Sequence, residues 1–77
     1  MLKYEICTYD PKTEEWSLIH GSRTRHRDKS LRYAGKVCTH FGHEPHNVQI
    51  ITIDIDDDGD ETISGRELWE ELCHETR

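Results

Sequence analysis

Six of the eight residues from Asp54 to Glu61 (DIDDDGDE) are acidic, and this run constrains the fold more than any other stretch of the 77-residue chain. Carboxylates taken out of water without partners cost several kcal/mol each, so the run must be a solvent-facing connection. Just before it, Asn47–Ile55 (NVQIITIDI) carries Val48, Ile50, Ile51, Ile53 and Ile55. These β-branched residues fit a half-buried pleated surface, and the segment is expected to be a strand. After the run, Gly65–His74 is expected to form a helix with Leu68, Trp69, Leu72 and Cys73 turned inward. Ser64 and Glu67, three residues apart, have the spacing of a capping box at its start.

The rest of the chain supplies the partners for these elements. Residues 2–9 (LKYEICTY) alternate Leu2, Tyr4 and Ile6 against Lys3, Glu5 and Cys7, the period of a strand. Asp10-Pro11 opens a turn, and Trp16–His20 reads as a second strand, so residues 2–20 are expected to form an antiparallel hairpin. Gly21–Lys29 is a polar connection. A helix follows from Lys29 to Phe41, capped by Asp28 or Ser30, with Leu31, Ala34, Cys38 and Phe41 on one face. Gly35 inside it costs roughly 1 kcal/mol against alanine, and Gly42–His46, with Pro45, ends it. The expected fold class is α+β: a small single domain, residues 1–77, in the order β-β-α-β-α, with an antiparallel sheet packed by two helices.

The net charge of −6 is divided unevenly. Met1–Ile53 has eight Lys/Arg against six Asp/Glu, a net +2, whereas Asp54–Arg77 has ten acids against two bases, a net −8. No stretch has the apolar length of a signal peptide or a membrane span, so the expected location is cytoplasmic, with no membrane partner. Three widely spaced cysteines, Cys7, Cys38 and Cys73, are too few and too odd in number for a disulfide framework and fit reduced thiols. A chain this short buries a modest share of its surface, so a bound ion or a second copy, as in a homodimer, would add useful stability.

From Asp56 the sequence DDDGDETISGRE resembles the EF-hand calcium loop. Asp56, Asp58 and Asp60 fall at the first, third and fifth positions, Thr62 would offer its carbonyl at the seventh, Ser64 stands at the ninth, and Glu67 at the twelfth. Glu61 replaces the usual glycine at the sixth position, where a residue with a side chain costs about 1–2 kcal/mol. Starting instead at Asp54 puts Gly59 at the sixth position but leaves Glu67 two residues late. The resemblance covers residues 54–68 and implies a calcium site drawn from Asp54, Asp56, Asp58, Asp60, Thr62, Ser64 and Glu67. A strand leads into the loop where the family has a helix, so the expected unit is a single strand-loop-helix variant.

No spacing in the chain marks a nucleophile with its base, and the expected role is not enzymatic. His40, His43 and His46, following Cys38, lie three apart but do not match a zinc pattern. Arg23, Arg25, Arg27, Lys29, Arg32 and Lys36 form a basic run that can contact phosphates, against which the overall acidity weighs. The leading expectation is a calcium-binding module whose ion stabilises a strand-helix junction and which serves a structural or partner-presenting role. The alternative is an acidic interaction or inhibitor protein, similar in principle to a nucleic-acid mimic, setting the Asp54–Glu61 ridge against a basic partner.

Overall fold

The computed structural model describes residues 1–75. Four strands, β1 (Leu2–Asp10), β2 (Glu15–Leu18), β3 (Val48–Ile55) and β4 (Glu61–Leu68), form one antiparallel sheet in the order β2-β1-β3-β4. Two helices, α1 (Arg27–Phe41) and α2 (Trp69–Glu75), complete an α+β architecture, and a short 3-10 turn, Pro45–Asn47, leads into β3. The expected β-β-α-β-α elements occur in that order, with β4 added between β3 and the last helix. Among the described residues no helix is long and apolar enough to cross a membrane.

Strand alternation sorts the side chains onto two faces. Ile6, Val48 and Ile50 point to the helix side, where they are fully buried with Ala34 and Val37 of α1 and Leu72 of α2. Burying each of these isoleucines stabilises the fold by roughly 1.5–3 kcal/mol. On the other face Cys7, Ile51 and Ile53 form a second cluster, with Ile55 packed against it. The hairpin expected for residues 2–20 is present, with Tyr9 opposite Trp16 and their rings 5.2 Å apart.

Three expectations need correction. The last helix starts at Trp69, not Gly65, because residues 61–68 pair with β3 instead. A strand of buried isoleucines leaves a row of backbone donors and acceptors that the following segment satisfies, and this ladder outweighs the local Ser64–Glu67 capping pattern. Next, α1 begins two residues early, with His26 as its N-cap and no capping side chain; Ser30, expected as a cap, is fully buried. Its inward face also rotates. Ser30, Ala34 and Val37 face the sheet and Leu31 and Cys38 flank them, whereas Phe41 is 68% exposed.

Gly42, with φ +75°, ends α1 as expected. Gly35 sits where the two helices approach: a Cβ built there would lie 3.6 Å from Cζ2 of Trp69, an ordinary contact distance. Alanine would therefore add contact and helix propensity without a clash. Gly35→Ala is expected to stabilise the protein by about 1 kcal/mol, raising Tm by roughly 4–8 °C in a chain of this size. A thermal melt followed by circular dichroism tests this, and a lowered Tm would mean that the helices are closer than described.

Candidate functional site

The acidic run proves to be the turn of the β3–β4 hairpin. Gly59 N–H donates to the Asp56 carbonyl at 3.0 Å, and Asp56 N–H donates to the Asp60 carbonyl at 3.1 Å. Gly59 has φ +86°, the left-handed conformation that closes such a three-residue hairpin loop. Asp56 organises the turn with its side chain: its Oδ1 accepts from Asp58 N–H at 3.0 Å and from Asp60 N–H at 2.9 Å. One consequence is crowding. Carboxylate oxygens of Asp56, Asp58 and Asp60 lie within 4.8 Å of one another, all on exposed residues. Among the described residues, Asp56, Asp57, Asp58 and Asp60 have no cationic partner.

The other residues expected in the ion site lie apart from this triad. Asp54 sits in β3, opposite Thr62, with its carboxylate 3.9 Å from the Met1 amino group. Thr62 belongs to the β4 ladder, and Ser64 Oγ donates over 3.5 Å to the Thr52 carbonyl. Glu67 is engaged elsewhere: its two oxygens accept from Arg27 Nη1 at 2.8 Å and Nη2 at 3.2 Å. The structure thus brings together three of the seven expected ligands. The histidines do not cluster: Asp56, Asp58 and Asp60 are the sole metal-compatible grouping among the described residues.

Sequence reasoning missed a pair of Arg–Glu links that fix β4. Arg23 Nε donates to Glu5 Oε1 at 2.6 Å, and its Nη1 and Nη2 donate to the two oxygens of Glu61 at 2.9 and 2.8 Å. Glu5 lies on β1 and Glu61 on β4, opposite Ile51 and Ile55 of β3 respectively, so this bridge spans the face on which Ile53 is 4% exposed. Glu67, opposite Ile50, faces the helix side and meets Arg27 in the first turn of α1.

A β-bulge makes the two links compatible. Glu61 and Glu67 are six residues apart, which strict alternation would place on one face. Thr52 pairs with Gly65 but Ile53 pairs with Ile63, leaving Ser64 as the extra residue and turning the two glutamates to opposite faces. The guanidinium groups hold the Glu61 and Glu67 carboxyls below the usual carboxylate range, while Glu61 and Glu5 push Arg23 upward. Burial raises the thiols of Cys7 and Cys38 above their usual range.

Comparison with family models, with curated proteins and with solved structures gives no match to this chain.

The Arg27–Glu67 fork makes stability depend on pH. Because the folded pKa of Glu67 is depressed, its contribution is complete above the unfolded value of about 4.3 and is lost as pH falls through the lower folded value. Both side chains are about two-fifths exposed, which limits the link to about 0.5–1 kcal/mol. Glu67→Gln is therefore expected to melt earlier than the parent at pH 7 and to converge with it in acid, as pH falls through the depressed folded value. Urea titrations across pH read the difference, and a gap that persisted in acid would assign the loss to packing.

Proposed function

We propose that this protein is a small, non-catalytic interaction module that presents the hairpin turn Asp56–Asp60 to a basic surface on a protein partner. The observation that carries this reading is the division of labour among the acids. Glu5, Glu61 and Glu67 are bound to arginines of the same chain, whereas the four aspartates of the turn are exposed and, among the described residues, without cationic partners. Such a tip costs little desolvation to bring up to a complementary patch, and its charge accelerates and orients the encounter. The ridge expected for Asp54–Glu61 is in this reading shortened to the turn, because Glu61 belongs to the Arg23 bridge.

A second reading, calcium binding at the same turn, is favoured by the 4.8 Å grouping of Asp56, Asp58 and Asp60. Calcium takes six to eight oxygens. One oxygen of Asp56 already accepts two backbone N–H groups, and Glu67, the expected bidentate ligand, is forked to Arg27. Water would have to complete most of the coordination sphere, which corresponds to weak affinity.

One pair of measurements separates the readings. In calorimetry a lysine- and arginine-rich peptide is expected to bind at low salt, to weaken steeply toward physiological salt, and to lose affinity with Asp57→Asn, Asp58→Asn and Asp60→Asn combined. In a parallel melt, millimolar calcium is expected to leave Tm within about 1 °C of its starting value, as for an ion whose Kd exceeds its concentration. Salt-insensitive peptide binding, or none, overturns the proposal. A calcium-dependent rise in Tm that Asp58→Asn abolishes replaces it with the second reading.

A further inference from the structure

The sheet divides the three cysteines. Cys7 is 4% exposed on the face away from the helices, sealed in with Ile51 and Ile53. Cys38 and Cys73 are half-buried thiols on the two helices, Cys38 on α1 and Cys73 on α2. Of the three pairs that one chain could form, only Cys38 with Cys73 lies on a single side of the sheet. A small oxidant can also reach both of these thiols, whereas Cys7 is shielded.

Helix packing brings the pair together. The Trp69 ring lies over Gly35, where a Cβ would stand 3.6 Å from its Cζ2. Cys38 and Trp69 pack against one cluster, in which Leu72 of α2 is buried with Ala34 and Val37 of α1. On α1, Ala34, Gly35 and Cys38 share a stripe at helical spacing, and on α2 so do Trp69, Leu72 and Cys73. Cys38 stands about one turn beyond Gly35, and Cys73 about one turn beyond Trp69. Electrostatics agrees with this placement. Burial, then the charge of Cys73, then that of Glu44 raise the Cys38 thiol above its usual range. That effect requires the two sulfurs to be neighbours, since the field of a charge decays over about 8 Å.

We propose that Cys38 and Cys73 form a redox site at which a hydroperoxide joins the two helices by a disulfide. One thiolate attacks an oxygen of the hydroperoxide and breaks the O–O bond. Its sulfur becomes a sulfenic acid, and the other oxygen leaves as water or an alcohol. The second thiol attacks the sulfenic sulfur, the S–S bond forms, and water leaves. Two thiols give up two electrons and two protons in all, which for hydrogen peroxide yields two waters. Closing the bond requires the two Cα atoms to stand within about 7 Å. The short α2 is the element suited to make that adjustment, because a helix of seven residues has little stability apart from its packing. Such a site stays reduced until an oxidant arrives, as transient disulfides do in reducing compartments. It is separate from the acidic turn, and it stands or falls independently of the protein-partner reading.

The test treats the full chain with a small excess of hydrogen peroxide in native buffer. Remaining thiols are alkylated in denaturant, and the digest is read by mass spectrometry. The expected product is a monomer in which the Cys38 and Cys73 peptides are linked and Cys7 is alkylated. The bond closes a long loop, so the oxidised protein should melt roughly 10 °C or more above the reduced one, and dithiothreitol should reverse the rise. Cys38→Ser and Cys73→Ser should each abolish both the link and the rise, whereas Cys7→Ser should keep both. The proposal is overturned if all three thiols survive the peroxide, if the link runs between two chains, or if Cys7 takes part in it. A Cys38–Cys73 bond that forms only in urea, or that lowers Tm, belongs to the unfolded chain and overturns it as well.

Discussion

The fold depends on how β4 is held. It is an outer strand of the sheet, and among the described residues its backbone is bonded to β3 alone. An outer strand of eight residues with exposed Thr62, Ile63 and Ser64 has little core of its own to anchor it. The anchors come from the segment that enters α1. Arg23 reaches Glu61 on one face of the sheet, and Arg27 reaches Glu67 on the other. The connection between hairpin and helix is thereby tied to a strand that comes almost forty residues later in the chain. Ser22 belongs to the same arrangement: its Oγ accepts from Ile6 N–H at 3.0 Å and donates to the Ile19 carbonyl at 2.7 Å. Arginine suits the task because its planar fork engages both oxygens of a carboxylate, or two carboxylates together.

These ties also decide which charges remain for other uses. Two arginines against three glutamates leave these ties with one net negative charge, and the charges outside them are partitioned. Aspartates crowd the hairpin turn, while Lys29, Arg32 and Lys36 line an exposed flank of α1. The formal charge of −6 describes neither surface. At physiological ionic strength the field of a charge decays over about 8 Å, so an approaching partner senses the local patch.

Much of this was legible in the residues and some was not, for definite reasons. The alternation of Leu2, Tyr4 and Ile6, the β-branched run before the aspartates, and the Gly42 and Pro45 stop after α1 each reflect one local rule, and each element formed. The turn was the harder case. Asp58-Gly59 following alternating apolar residues is a hairpin signal, but the same letters fit an ion loop, and Ser64-x-x-Glu67 fits a helix start. Two local patterns agreed with each other and pointed away from the sheet. What prevailed was non-local: the open edge of β3, with Ile51 and Ile53 needing cover. Glu67 was therefore read as a ligand when its partner is Arg27, forty positions earlier, a pairing no local window contains. Asp56, Asp58 and Asp60 did converge, because convergence is a property of the turn itself.

The bulge in β4 bears on how this chain tolerates changes in its length. Between the pairs Ile50–Glu67 and Ile55–Glu61, β3 advances five residues and β4 advances six. The strand thus holds a spare residue, and it keeps the spare at Ser64, which is exposed and serves neither arginine. Loss of Ser64 would turn six steps into five, erase the irregularity and leave both glutamates facing the arginines they already hold. Loss of a residue beyond the two anchors has no such reserve, since it shifts the turn or the helix that follows. A defect in the ladder is in this sense slack in the reading frame of the strand, placed where a one-residue deletion can be absorbed without rewiring the sheet.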